Sequence, residues 1–350
     1  MAKRPAPIAA PATGWRPGKW RTAIEHPAAV NSLLVAPQWI GDAVMAQPLV
    51  AALAARGETV TVLALPAVAA VARAMPGVTD VIEARLRHKR LDWSERRRLG
   101  RELGRRGFGR AYILGNNVKA RLIPWLARIP ERVGWRGEAA GLLLTQALQA
   151  EVGEQRGDLR AHYAALAGVA DATEPELRVE PAQTAAALRA FELDSGYIAL
   201  CPGAEYGPAK QWPGYAELAA LAHAQGWPVV VLGGAKDEAA GAVIAAAGAR
   251  NLCGRTSMPQ ALALLAGAAG VVSNDSGLMH LAAALKRPTL GIYGSTDPRH
   301  TPPAAHRSAV LWRQLDCSPC FQRVCPLGHL NCLRGIEASE VWQRLQQLLA

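Results

Sequence analysis

At 350 residues the chain is too long for one ordinary domain and too short for three, so two domains of about 150 to 180 residues are expected. Half of the residues are hydrophobic and 19% are charged, which excludes a wholly disordered chain, and no apolar run is long enough for a membrane-spanning helix. The net charge is +11, and sixteen basic residues against five acids between Glu83 and Arg136 carry an excess of the same size; this pattern points to an anionic partner (nucleic acid, a phosphorylated saccharide or an anionic membrane face), the plainer alternative being a solvated Arg-rich helix.

Residues 1–30 mix Pro, Ala, Gly, Arg and Lys without a sustained apolar segment, so a flexible extension with no secretory signal is expected, and with it a cytoplasmic chain. Residues 32–37, SLLVAP, form a short apolar run that ends in a turn and leads into a helical pattern with Val44, Leu49 and Leu53 on one face. The alternation then continues: strand at 59–65, helix at 68–75, strand at 78–82, polar helix at 94–106, strand at 111–115. It weakens between 171 and 181 and restarts at 197–203, with further strands expected at 228–232, 270–273 and 289–293 between Ala/Leu-rich helices. Repeated strand–helix alternation means parallel sheets covered on both faces, hence an α/β chain of two domains facing a cleft. The boundaries read as 31–180 for the first domain and 181–336 for the second. An amphipathic helix at 337–350 is expected to pack back across the boundary.

In parallel sheets ligands bind beyond the carboxyl ends of the strands, so the loops after strands carry the candidates. PQWIGD puts Asp42 at the start of a helix, where it is either a functional carboxylate or a helix cap. CPGAEYGPAKQWP offers Glu205 and Lys210 in a Gly/Pro-rich loop that lacks the Gly-Lys-Ser/Thr ending of a Walker A motif; its lysine can still neutralise a phosphate. SNDSGLMH opens a helix with Asp275, Ser276 and Gly277, an anion-binding geometry or simple capping, with His280 one turn along the same face. YGSTDP is a fourth loop of that rim. No Gly-x-Gly-x-x-Gly follows a strand, which disfavours a nicotinamide or flavin site, and no two aspartates lie two apart, which removes a paired-carboxylate metal site. Transfer chemistry would therefore rely on lysine and helix N-termini to neutralise a leaving diphosphate.

Cys317, Cys320, Cys325 and Cys332 crowd the end of the chain around His329. That density suits a structural zinc, with reduced and partly buried thiols as the alternative; disulfides are opposed by the expected compartment. Cys201 and Cys253 read as lone core residues.

The segments PQWIGDAVMAQPL, GNNVKARLIPWLARIPERVGWRGE, CPGAEYGPAKQWP and SNDSGLMHLAAAL, in this order, resemble glycosyltransferase family 9, most closely its heptosyltransferase II type, over residues 32–303. The resemblance implies a GT-B architecture of two Rossmann-like domains, an acceptor-binding one followed by a nucleotide-sugar-binding one. It further implies inverting transfer of heptose from ADP-heptose to the first heptose of the lipopolysaccharide inner core, with no cofactor needed for catalysis. Carried over by motif, Asp42 is the general base and Lys210 holds the donor diphosphate, with Asp275, Ser276 and Gly277 on heptose and phosphate. Glu205 and His280 join the donor set. Lys119 and Arg136 lie in the most family-like segments and are the expected contacts to a heptosylated Kdo-lipid A acceptor, while Arg96, Arg97 and Arg98 supply peripheral attraction to the anionic inner face of the inner membrane. The N-terminal extension and the cysteine cluster depart from the family core.

Two competing readings remain. A GT-B enzyme acting on another nucleotide sugar, or an epimerase, is opposed by the NNVKARLIP and VGWRGE segments. A nucleic-acid-binding protein would use the basic window and the cysteine module, but it lacks aromatic interleaving and leaves the post-strand loops unexplained.

Overall fold

The computed structural model describes residues 30–87, 90–150 and 157–350; the extension expected before Val30 lies outside the described residues. Twelve strands are found among them: β1 (Asn31–Val35), β2 (Thr59–Ala64), β3 (Val78–Glu83), β4 (Arg110–Ile113), β5 (Glu131–Trp135), β6 (Gln146–Leu148), β7 (Ile198–Cys201), β8 (Val229–Val231), β9 (Arg250–Asn251), β10 (Gly270–Asn274), β11 (Thr289–Tyr293) and β12 (Ser308–Trp312). They form two six-stranded sheets, ordered β3-β2-β1-β4-β5-β6 and β12-β11-β10-β7-β8-β9. Every pairing is parallel. Counted from its own first strand, each sheet has the doubly wound order 3-2-1-4-5-6, so the chain contains two Rossmann-like domains.

The central strands are buried on both faces and show no polar alternation: β4, β7, β10 and β11 are buried at every position, with buried polar residues such as Arg110, Ser273 and Asn274 at their ends. Register places Leu34 between Val62 and Tyr112 in the first sheet, and Val272 between Leu200 and Leu290 in the second. Truncating a fully buried leucine such as Leu34 or Leu290 to alanine should cost about 2–5 kcal/mol.

Three apolar layers result. One lies outside the first sheet around Leu33, Leu99 and Ile123. Another lies outside the second around Ile198, Leu218 and Trp342. The largest runs through the molecule, joining Leu34, Val44 and Val62 to Tyr197, Leu264 and Val271. The domains meet where the helix Ile40–Met45 packs on Gly277–Ala284 and Pro66–Arg73 packs on Met258–Gly267. The connection is tied to both sides by consecutive residues, Leu177 N–H donating to Ala284 O at 2.9 Å and Arg178 N–H to Ala74 O at 2.8 Å.

Among the described residues, the C-terminal helix Ala338–Leu349 packs within the second domain rather than back across the boundary. It lies on the second sheet, against the helix Tyr215–Ala224 and strands β10 to β12. Its apolar stripe of Val341, Trp342 and Leu345 completes that domain's outer layer. Gly270 admits it: a Cβ there would stand 3.0 Å from Leu349 and 3.2 Å from Leu345.

Candidate active site

In the order 3-2-1-4-5-6 the chain reverses direction between its first and fourth strands, and the loops that follow those two strands diverge to leave a crevice. The two crevices here are bounded by the loops after β1 and β4, and by those after β7 and β10. Asp42 follows β1, Lys119 follows β4, Glu205 and Lys210 follow β7, and Asp275, Ser276, Gly277 and His280 follow β10. Arg136 follows β5, one strand further along.

The second crevice is the more tightly built. Asn274, fully buried at the end of β10, donates from Nδ2 to Pro202 O at 2.6 Å and accepts from Trp212 N–H at 3.1 Å, so it holds the loop after β7 against the one after β10. That contact delivers Lys210, whose Nζ stands 2.5 Å from Asp275 Oδ2 and 5.0 Å from the Tyr206 ring centre. Thr296, in the loop after β11, donates to the same Asp275 oxygen at 2.6 Å, and His280 Nε2 lies 3.7 Å from Oδ1. Burial alone would raise the Asp275 pKa, but His280 and the Lys210 ammonium outweigh it and hold the carboxyl at about 2. Asp275 therefore stays ionised throughout the physiological range and fixes Lys210. Ser276 caps the helix Gly277–Ala284 by position only. Its hydroxyl faces Ser273 Oγ at 3.2 Å and makes no cap hydrogen bond, so the N–H groups of the first turn keep their capacity for an anion.

Asp42 sits in the first turn of Ile40–Met45, whose N-cap is Trp39. It is not a capping residue: its carboxylate accepts no hydrogen bond among the described residues. Burial raises its pKa above the ordinary aspartate value, against the opposing pull of His280, His300 and Lys210. A half-buried carboxylate without hydrogen bonds is a stronger base than a solvated one. Two glycines bring it to the second crevice. A Cβ on Gly41 would lie 2.7 Å from the His280 ring, and one on Gly277 would lie 2.9 Å from the Ile40 Cβ. The turn bearing Asp42 and the turn bearing Asp275 are thus in contact across the domain boundary, with His280 between them.

Glu205 is not brought into this cluster; it is exposed and pairs with Lys236 at 2.7 Å. Lys119 and Arg136 stand on the first-domain rim, half-buried and exposed respectively. The basic window is less of a surface than its sequence implies. Arg96, Arg110 and Arg121 are buried. Arg87, Arg98 and Arg106 are paired with Asp92, with Glu95 and Glu102, and with Asp80. Arg96 therefore cannot belong to a peripheral cluster with Arg97 and Arg98; helix periodicity turns it inward while its two neighbours face solvent. Thr296 and His300 adjoin the candidate residues but do not stand out in the sequence. YGSTDP and its continuation read as one more rim loop, and only the fold shows that Thr296 reaches Asp275 and that His300 acts on Asp42.

Cys317, Cys320, Cys325 and Cys332 line one small cavity with His329, and all are free thiols. Among the described residues no three His, Cys, Asp or Glu groups are arranged to hold a metal ion, so the structural-zinc expectation finds no support. Cys332 is buried in the helix Asn331–Arg334 against the second domain's core, and nearby backbone N–H groups of residues 327–330 lower the Cys325 thiol pKa. Cys201 and Cys253 are core residues as expected, and burial pushes the Cys253 thiol up to about 12.

Two doubly wound sheets whose crevices face each other, with a carboxylate offered by one and a lysine-bearing anion site by the other, define the GT-B architecture of glycosyltransferases. The chain belongs to glycosyltransferase family 9, the heptosyltransferases, whose family model matches residues 96–331. It is 40% identical to lipopolysaccharide heptosyltransferase 2 of Salmonella typhimurium over 91% of this chain and 98% of that one. It is 39% identical to the Escherichia coli protein of the same name over 80% of this chain and 87% of that one. The solved structure of E. coli ADP-heptose LPS heptosyltransferase II superimposes with a TM-score of 0.80 at 34% identity, covering 91% of this chain and 98% of that one.

Proposed function

We propose that this glycosyltransferase moves heptose from ADP-heptose to the first heptose of the lipopolysaccharide inner core, with inversion at the anomeric carbon. The observation that carries the reading is the meeting of Asp42 with the 275–280 turn across the domain boundary. Asp42 is the general base: it takes the proton of the acceptor hydroxyl as that oxygen attacks the anomeric carbon. The bond from that carbon to the diphosphate breaks, and negative charge grows on the ADP oxygens. Lys210 and the N–H groups at Ser276, Gly277 and the next residues stabilise it in a poorly hydrated cleft. Asp275 and Thr296 hold Lys210 in place, and His280 spaces the base from the donor turn. Glu205, at the mouth of the same crevice, is assigned to the nucleotide end of the donor, and residues 181–336 are its binding domain.

Residues 31–180 are assigned to the acceptor, with Lys119 and Arg136 contacting the acidic sugars and phosphates of a Kdo-lipid A core. The same rim supports a peripheral position on the inner face of the inner membrane. Trp39, Leu91, Trp93 and Leu142 are 53%, 46%, 44% and 80% exposed in the loops and helix starts after β1, β3 and β5, beside exposed arginines. Apolar tips mixed with cations suit a membrane interface. Among the described residues no helix is long and apolar enough to cross a membrane.

The test is incubation with ADP-heptose and a mono-heptosylated acceptor. ADP should be released in step with a di-heptosylated product, and none should form when the acceptor lacks its first heptose. Equal turnover of another nucleotide sugar, or release of ADP without sugar transfer, would overturn the assignment.

A further inference from the structure

Three arginines of the basic window are buried, and their partners differ. Arg110 lies at the amino end of β4 with Glu131 at 2.5 Å and Glu58 at 3.7 Å, an ordinary ion-pair cluster. Arg96 and Arg121 have no carboxylate at ion-pair distance among the described residues, although only 5% and 1% of their surfaces are exposed. A guanidinium withdrawn from water without a counter-ion is unfavourable, and such a residue contributes little as a mere source of stability.

What the two side chains do instead is donate to oxygens in and beside the segments after β4 and β5, four of them backbone carbonyls and one the Asn116 side-chain amide. Arg121, in the helix Val118–Leu126, donates from Nη2 to Asn116 Oδ1 at 2.8 Å and to Trp135 O at 2.7 Å, and from Nη1 to Glu138 O. Asn116 lies between β4 and that helix, Trp135 ends β5, and Glu138 lies in the loop after β5. Gly137 closes the joint, since a Cβ there would stand 2.0 Å from Asn116 Oδ1. Arg96 extends the chain of contacts outward, donating from Nε to Leu91 O at 2.6 Å and from Nη1 to Lys119 O. Lys119 and Arg136 are therefore carried on segments fixed by these two buried forks.

We propose that Arg121 is a positioning residue for the acceptor: it fastens the loops after β4 and β5 to each other, and so sets the distance and direction at which Lys119 and Arg136 meet the acceptor's anionic groups. The inference rests on the acceptor assignment of the first domain. A planar fork is the group this joint requires, because three acceptors lie around one side chain in fixed directions; an ammonium carries the charge but not the geometry. Arg121 is not a catalytic residue, and it touches neither Asp42 nor the Lys210–Asp275 pair.

The experiment compares the full-length protein with Arg121→Lys, Arg121→Gln and, as a charge-loss control on an exposed residue of the same window, Arg101→Gln. Three quantities are measured: acceptor KM with mono-heptosylated acceptor, ADP affinity by calorimetry, and amide exchange across 114–119 and 135–139. Both Arg121 variants should raise acceptor KM about 10- to 100-fold, the range expected when binding groups are misplaced. ADP affinity should stay unchanged, and both loops should exchange faster while the second sheet keeps its protection. Arg101→Gln should leave all three unaltered.

Wild-type KM in Arg121→Lys would mean that charge alone matters and would overturn the proposal. So would a parallel loss of ADP affinity with faster exchange in the second sheet, the signature of general destabilisation. If Arg121→Gln does not fold, Arg121→Lys carries the same comparison. If the wild-type protein releases no ADP with this donor and acceptor, the functional assignment fails, and the exchange data still decide whether Arg121 joins the two loops.

Discussion

Asp275 has Lys210, Thr296 and His280 around its carboxylate, whereas the carboxylate of Asp42, in contact with the same turn through Gly41 and His280, accepts no hydrogen bond among the described residues. One aspartate is held far below its ordinary pKa and the other is raised above it. The difference fits the two tasks proposed for them. A group that anchors a lysine for phosphate must be ionised and immobile, and neighbours supply both conditions. A group that takes a proton must keep its basicity, so the fold withholds the hydrogen bonds that would satisfy it. Such a base destabilises the folded state at neutral pH, a common cost of functional sites.

Removing the base is the strongest way to break this contrast. Asp42→Asn should lower kcat by about 10²-fold or more while donor affinity is retained, because the amide keeps the shape and loses the proton acceptor. The same variant should melt no lower than the wild type at neutral pH, since it removes an unfavourable buried charge. Near wild-type turnover would end the assignment of Asp42 as base.

Lys210→Ala acts on the other aspartate. It should weaken ADP-heptose binding and slow transfer together, by about 10-fold or more in each, because the ammonium meets phosphate in both ground and transition states. It also strands a buried Asp275 carboxylate with only Thr296 and His280, so the melting temperature should fall as well. Lys210→Arg should restore binding in part. Unchanged donor affinity in the alanine variant would remove Lys210 from the site.

Gly277 belongs to both sides of the comparison. A side chain there meets Ile40 before it meets any ligand, with Cβ to Cβ at 2.9 Å. Gly277→Val should therefore part the two turns and cost activity through the base as well as through the anion site. Ser276→Ala should do much less, as its hydroxyl makes its hydrogen bond to Ser273 and no other among the described residues. The reverse ranking in two folded variants would mean side-chain recognition by Ser276.

The legibility of the molecule divides along the same line. Strands built around an apolar run, such as β1, β2, β7, β10 and β11, and the helix at Ala338–Leu349, are readable from their runs and periodicity. Strands β5, β6, β9 and β12 are not, because Glu131–Trp135 carries two charges and a glycine, Arg250–Asn251 is two residues long, and Gln146–Leu148 and Ser308–Trp312 are only partly buried edge strands. Asp42, Lys210 and Asp275 stand out as motif residues in post-strand loops. Thr296, His300 and the buried role of Arg121 do not, since a hydroxyl in one more rim loop and an arginine in a basic run look alike wherever they fold. The packing direction of the C-terminal helix was likewise hidden: an apolar stripe says that a helix is covered, and the small residue opposite it, Gly270, decides by what.

A gentler probe is the first-domain rim. Neutralising Lys119 and Arg136 together should raise acceptor KM several-fold and leave ADP affinity alone, while neutralising the exposed Arg97 should change only binding to anionic vesicles, with each exposed cation worth about 1 kcal/mol at low salt. Equal effects of both changes on acceptor KM would dissolve the distinction between contact and attraction.

The smallest effects are expected from pH, and they have opposite signs at the two aspartates. Asp275 has a depressed pKa in the folded protein, so its contribution to stability is fully present above the ordinary aspartate value and is lost as pH falls toward about 2. Asp42 has a raised pKa, so its ionisation works against the folded state at neutral pH, and that penalty vanishes as the pH falls through the raised value to the ordinary one. Melting curves of Asp42→Asn and wild type should therefore converge on acidification, with the variant the more stable at neutral pH, whereas Asp275→Asn should be the less stable at neutral pH and approach wild type only near the acid limit. The acid limb of kcat should follow Asp42 and lie above the range of a solvated aspartate, because turnover needs the unprotonated form. Curves that converge in the opposite order would mean that the hydrogen bonds at Asp275 and their lack at Asp42 do not control the two protons.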